Sequence, residues 1–234
     1  ADVRKEKKSN VSFFEKLIRL VYPAKCMVCD MILNEDTTMY LCEPCKKILP
    51  LYMRGFKKSI QLPYVDLTFA AFYYRDGVET AIHNMKFKNH PKLAQTMGML
   101  ICEELLKQES LPHFDYIVPV PMHHKKRRQR GYNQAELVAK EVGRILGKEV
   151  RTDILMKTQN TKPQVLLKRE ERLRNLESAF KVNENIIIKD TQNKHILLVD
   201  DVLTTGTTIN TCARILKENG FLYIYALVIA IAEK

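Results

Sequence analysis

Residues 196–208 read Ile-Leu-Leu-Val-Asp-Asp-Val-Leu-Thr-Thr-Gly-Thr-Thr, and no other stretch constrains the fold as much. An apolar run ends in Asp200 and Asp201, and a hydroxyl-rich turn with one glycine follows. Ile209 to Asn219 then carries apolar residues at helical spacing, with Ile209, Cys212, Ala213, Ile215 and Leu216 as the expected buried side. The pattern is that of a buried parallel strand, a tight turn and a helix N-terminus. Such a turn aims backbone N–H groups and the positive end of a helix dipole at one point, where a phosphate fits. Thr204, Thr205, Thr207 and Thr208 add hydroxyl donors, and Gly206 permits positive φ and close backbone approach. Carboxylates at the strand end accept bonds from sugar hydroxyls. Phosphate on one side and a diol on the other describe a ribose 5-phosphate.

This stretch resembles the phosphoribosyl-pyrophosphate (PRPP) site of type I phosphoribosyltransferases in about a dozen ordered positions. The resemblance implies that Asp200 and Asp201 hold the ribose hydroxyls. It also implies that Val202 and Thr204 to Thr208, with Gly206, surround the 5-phosphate. A plainer reading is a threonine-rich turn capping an ordinary helix. The competing phosphate motifs GxxxxGK[ST] and GxGxxG are absent from the sequence.

The chain of 234 residues suits one medium domain with a small accessory unit, and its 46% hydrophobic content suffices for a core. A net charge of +11 points to an anionic partner, either nucleic acid or phosphorylated metabolites. The charge is clustered, since no acidic residue occurs from Tyr116 to Ala135. Ala1 to Asn10 is charged and is followed by no apolar signal region. Phe221 to Ala232, the most apolar run, falls short of the ~20 residues that span a bilayer and reads as a buried strand. The expectation is a cytoplasmic protein without a transmembrane segment, in which disulfides are disfavoured.

Four of the six cysteines form Cys26-Met-Val-Cys29 and Cys42-Glu-Pro-Cys45, with twelve residues between the pairs. Two such knuckles predict one tetrahedral Zn²⁺ on four thiolates, with a closed shell and a structural role. A redox CxxC is the alternative. Cys102 and Cys212 lie in apolar helical patterns and read as core.

Val11 to Tyr22 has the pattern of an amphipathic helix ending at Pro23, which packs on the protein or lies on a membrane surface. The pattern breaks between Leu49 and Pro63, which predicts a zinc-binding unit over 1–63 and a main domain over 64–234. In the main domain, strands are expected at Leu67–Tyr74, Tyr116–Val120, Val150–Met156, around 196–203 and near the C-terminus. Helices are expected at Val78–Lys88, Pro91–Gln108 and from Gly131 to Leu146. The alternation gives an α/β fold with a mainly parallel sheet.

Ligands in such sheets bind outside the carboxyl ends of the strands. Three segments should meet there: Pro119 to Gly131, Gln164 to Asn175, and Asp200 to Thr208. The first resembles a pyrophosphate loop, which implicates Pro121 and Met122, and carries a basic extension from His123 to Arg130 with both histidines exposed. The second offers Arg169 and Arg172 to a pyrophosphate, or is a solvated helix of Glu/Arg pairs. Lys86 either points into the site or lies on a solvated face.

The order of a four-cysteine knuckle, Val-Pro-Val-Pro with Arg-Gly-Tyr-Asn-Gln, Gln-x2-Leu with Arg-x2-Asn, and Val-Asp-Asp-Val-x-Thr-Thr-Gly closely resembles the ComF/ComFC family from about Tyr22 to Ala232. These are competence-associated proteins with a phosphoribosyltransferase-like domain. The resemblance implies a part in natural transformation: handling single-stranded DNA in the cytoplasm, beside DNA-uptake machinery at the inner membrane. A PRPP site with Mg²⁺ is implied as well. Lys125, Lys126, Arg127, Arg128 and Arg130 are the expected DNA contacts, with Tyr132 as a stacking platform. The alternative is a metabolic phosphoribosyltransferase of nucleotide salvage or biosynthesis, a glycosyltransferase of pentosyl groups. No residue reads as a catalytic base, but such transfer is mostly positioning and charge stabilisation. No segment reads as a base-recognition hood, and the basic, acid-free segment favours DNA.

Overall fold

The computed structural model describes residues 18–19, 21–59, 61–88, 90–159, 179–183 and 193–232. Its elements are α1 (Glu43–Ile48), β1 (Leu67–Tyr73), α2 (Val78–Phe87), α3 (Pro91–Leu105), β2 (Tyr116–Pro119), α4 (His124–Arg130), α5 (Gln134–Leu146), β3 (Glu149–Val150), β4 (Leu155–Lys157), β5 (Phe180–Val182), β6 (His195–Leu203), α6 (Thr207–Glu218) and β7 (Tyr223–Ile231). Five strands form one sheet in the order β1-β7-β6-β2-β3, with every pairing parallel. A separate antiparallel pair joins β4 to β5.

The near-continuous apolar runs of β6 and β7 follow from burial on both faces. Side chains alternate across a strand. Leu197 and Val199 of β6, with Leu227 and Ile229 of β7, join the core beneath α2, α3 and α5. Ile196 and Leu198, with Ala226 and Val228, join the core beneath α6. The buried side of α6 includes Ile209, Cys212, Ala213, Ile215 and Leu216, as its periodicity predicts.

The topology opens one crevice. β2 and β6 are neighbours, yet the chain leaves β2 for α5 on one face and leaves β6 for α6 on the other. That reversal is where open α/β sheets bind ligands. β2 follows β6 only as far as Pro119 opposite Val199, closed by the Val120 N–H to the Val199 carbonyl at 2.8 Å. β6 then runs on beside β7 to Leu203, so the gap begins at Asp200.

Three expectations are corrected or refined. The strand expected over Val150–Met156 is two: β3 pairs with β2, and β4 pairs with β5 across a bend at residues 152–154. The basic extension expected as a loop is helix α4. His123, expected exposed, is 3% exposed and caps α4, its Nδ1 accepting the Lys125 N–H at 3.3 Å. The expected N-terminal helix lies mostly outside the described residues, and the segment Gln164–Asn175 lies wholly outside them.

Candidate functional site

The turn after β6 places Thr204 and Thr205 at the surface, with the Thr205 and Thr207 hydroxyl oxygens 2.9 Å apart. Gly206 has φ +71° and precedes α6, whose N-terminus has no side-chain cap. A Cβ there would also overlap the buried Leu62 side chain, so glycine is required for both conformation and space. Asn210 of α6 accepts the Tyr64 N–H at 3.1 Å, which ties the helix start to the segment that floors the turn.

The two carboxylates differ sharply. Asp201 is buried; its Oδ2 accepts bonds from Lys86 Nζ and Gln134 Nε2, both at 2.8 Å, and its Oδ1 accepts the Val202 N–H at 2.7 Å. Asp200 is half-buried, and its Oδ1 accepts the Asp201 N–H at 2.9 Å. Burial and then the charge of Asp201 push the Asp200 carboxyl up to about 7, against the opposing pull of the Asp201 N–H, Lys86 and Lys157. Lys157, held over the Phe180 ring at 4.7 Å, is pushed down by burial and by Lys126. Arg130 donates to Gln134 Oε1 at 2.6 Å; burial lowers its pKa, while Asp201 pulls it back up. Pro121, Met122 and Val202 are half-buried around the same strand ends.

Helix α4 presents Lys125, Lys126, Arg127 and Arg128 to solvent. Arg127 pairs with Glu136 at 3.1 Å, whereas Lys125, Lys126 and Arg128 have no acidic partner among the described residues. Gly131, at φ +86°, ends the helix and starts the turn into α5. Asn133 caps α5 and also donates to the Val120 carbonyl at 3.0 Å, which holds the chain leaving β2. Tyr132, expected as a stacking platform, is 7% exposed and its hydroxyl donates to the Met85 carbonyl at 2.5 Å. Its ring is packed inside and presents no open face to a base.

The sulfurs of Cys26, Cys29, Cys42 and Cys45 lie within 4.8 Å of one another, and those of Cys29 and Cys42 are 3.7 Å apart. Four sulfurs at ~2.3 Å from a central tetrahedral ion stand about 3.8 Å apart, so this cluster can hold a metal. Burial works against the Cys26 thiolate, but N–H groups of Cys29, Cys42 and Val28 outweigh it and bring the thiol down to about 7. The knuckles are not a detached unit. Cys26, Cys42 and Cys45 share one core with Phe69, Phe72 and Leu227, and Asn84 of α2 donates to the Met27 carbonyl at 2.8 Å.

Residues 130–232 match the phosphoribosyl transferase domain family. The chain is 27% identical over 203 residues to Competence protein F of Haemophilus influenzae, covering 84% of this chain and 87% of that protein. It is 28% identical over 151 residues to Competence protein ComFC of Bacillus subtilis, with 64% and 58% covered. The chain is thus similar to two competence proteins and carries a match to the phosphoribosyl transferase domain. It is also 31% identical over 150 residues to DNA utilization protein YhgH of Escherichia coli, which covers 63% of this chain and 64% of that protein's length.

The structure brings Asp200, Asp201, Val202, the 204–208 turn, Pro121 and Met122 to one crevice mouth. It sets α4 beside it through Arg130. Arg169 and Arg172 lie outside the described residues. Sequence reasoning missed Gln134 and Lys157 and left Lys86 between two readings. Gln134 had a signal, as the last residue of the Arg-Gly-Tyr-Asn-Gln run. Lys157 had none.

The raised Asp200 carboxyl generates a pH prediction. Its folded pKa of about 7 lies above the ~3.9 of an unfolded aspartate. The fold therefore disfavours the charged form, and this cost grows as pH rises from about 4 to 7 and is constant above. Asp200→Asn should melt with wild type near pH 4 and above it at pH 8, by at most about 4 kcal/mol of stability. Thermal unfolding of both proteins across that range checks it; a gap independent of pH contradicts it.

Proposed function

We propose that this is a competence-related protein that handles single-stranded DNA and binds PRPP in the crevice between β2 and β6. The observation that carries the reading is the pairing of a glycine-enforced threonine turn with an acidic pair at the topological switch point, beside a helix on which Lys125, Lys126 and Arg128 have no acidic partner among the described residues. The uncapped start of α6 and the hydroxyls of Thr204, Thr205, Thr207 and Thr208 would receive the 5-phosphate. Asp200 keeps one carboxylate oxygen without a partner among the described residues, and Asp201 Oδ1 keeps a second lone pair; these would take the ribose diol. Pro121 and Met122 would lie against the pyrophosphate. Mg²⁺ bound with PRPP would offset the pyrophosphate charge. The names of the relatives, competence and DNA utilization proteins, support the DNA side of the reading. No helix of the described residues is long and apolar enough to cross a membrane. We take residues 1–63 as the metal-binding unit and assign the four-cysteine centre to a structural Zn²⁺.

Zinc is tested first. Protein purified without chelators should carry about one Zn²⁺ per chain, and Cys42→Ser should lose it and become protease-sensitive around residues 24–49. Metal content near zero in the wild type would overturn the assignment.

For PRPP, melting curves decide. With Mg²⁺ and PRPP at a hundredfold excess over Kd, stability should rise by about 2.7 kcal/mol. Gly206→Val should lose that gain, because its side chain collides with Leu62 and closes the backbone approach. No PRPP-dependent shift in the wild type would show the site to be misassigned.

DNA binding should depend on salt. Three unpaired cations on α4 predict a slope of log K against log salt of about −2, from ~0.7 per phosphate on a single strand. Replacing Lys125, Lys126 and Arg128 together by Ala should flatten it, whereas Arg127→Ala should matter less because Glu136 already holds that side chain. Fluorescence anisotropy over a salt series reads both. If the triple variant keeps DNA and loses PRPP, α4 serves pyrophosphate instead.

A further inference from the structure

We propose that Phe87 is the stacking platform for a nucleobase of single-stranded DNA, set between helix α4 and the Asp200–Asp201 crevice. The inference rests on the DNA-handling reading and names the residue that would meet the bases. Phe87 is 66% exposed at the end of α2, while Ala81, Ile82 and Met85 of the same helix fill the core. Core packing therefore does not account for a phenylalanine here.

Its ring is not loose on the surface. His83, one helical turn earlier, lies 4.7 Å from it, and the Arg130 guanidinium stands 5.4 Å from the ring centroid. Arg130 is itself fixed by Gln134. An exposed ring flanked by an imidazole and a guanidinium is a run of flat π-surfaces, the chemistry on which unpaired bases stack.

Charge selects the occupant. The neighbouring Lys86 and Lys88 are held by Asp201 and Asp30, so the cations open to phosphates are those of α4, Lys125, Lys126 and Arg128, which Arg130 joins to the ring. An apolar protein partner would meet cations around one ring; a single strand would meet cations for its phosphates and a ring for its base. The adjacent residue, Lys86, reaches Asp201 at 2.8 Å. A base on Phe87 would therefore stand one residue from the proposed ribose site.

The test compares wild type, Phe87→Ala and Phe87→Trp by fluorescence anisotropy on an oligothymidylate and on an abasic strand of equal length. Phe87→Ala should weaken oligothymidylate binding about 5- to 150-fold. Its salt slope and its affinity for the abasic strand should be unchanged. Phe87→Trp should restore affinity. The chain contains no tryptophan, so that indole can be excited selectively beyond the tyrosine absorption band and should be quenched by bases and not by the abasic strand. Equal binding of oligothymidylate by wild type and Phe87→Ala would overturn the Phe87 inference and leave the DNA reading standing. An equal loss on the abasic strand would overturn it too, as a structural effect. Loss of free nucleobase binding in the presence of PRPP, with oligonucleotide binding intact, would make Phe87 part of an acceptor pocket instead. Wild-type protein that binds neither strand would sink both readings.

Discussion

Strand β6 is buried on both faces up to Val199, and its two carboxylates stand where that burial gives out. A charge at such a place needs partners, because an uncompensated buried carboxylate costs several kcal/mol. Asp201 finds three: an ammonium from α2, an amide from the first residue of α5, and the N–H of Val202. These bonds thus fasten α2 and α5 to the end of the central strand. Asp200, with one N–H and no direct cation, carries the electrostatic strain of the pair, and its carboxyl rises accordingly. One carboxylate holds the crevice in shape and the other keeps an oxygen without a partner among the described residues, a division that adjacent identical residues do not announce in sequence.

Elements set by local pattern were legible. The strand, turn and helix of 196–219 follow from a run, a glycine and a 3.6-residue period, and the cysteine pairs follow from spacing alone. What escaped depended on end-capping or on distant chain. Helix α4 holds several like charges within two turns, which argues against a helix in isolation. It forms because His123 caps its start, Gly131 ends it, and Arg127, Arg128 and Arg130 lie in its last turn, where the dipole favours cations. Tyr132 follows a glycine in a basic run and reads as exposed; its burial is decided by a carbonyl 47 residues away in α2. Lys157 reaches the site only because β4 pairs with β5 rather than continuing β3.

The four-cysteine segment shows the same dependence from the other side. Its sulfurs face one another at metal-binding distance, yet Met27, Tyr40, Leu41 and Leu49 of the same segment lie in the core formed with α3 and the sheet. Thr96 of α3 receives the Tyr40 N–H at 3.0 Å, and Lys46 meets Glu103 at 2.7 Å. A segment with too few apolar residues to fold alone borrows the core of the main domain, and an ion held by the four thiolates would add to that support. Removing either support leaves the other bearing on the same few residues.

The last turn of α2 joins these parts. At about 100° per residue, four consecutive side chains or carbonyls point to four different surroundings. Asn84 reaches the Met27 carbonyl in the knuckle, the Met85 carbonyl takes the Tyr132 hydroxyl, Lys86 holds Asp201, and Phe87 stands in solvent beside Arg130. The Met85 carbonyl is one of the four that a helix end leaves without an internal partner, so Tyr132 both satisfies it and pins the turn. A disturbance of the knuckle at Met27 would act first on Asn84, and through a rigid helical turn on the angle at which Lys86 meets Asp201. The four-cysteine segment and the acidic pair are therefore coupled through this one helical turn, which is bonded to both.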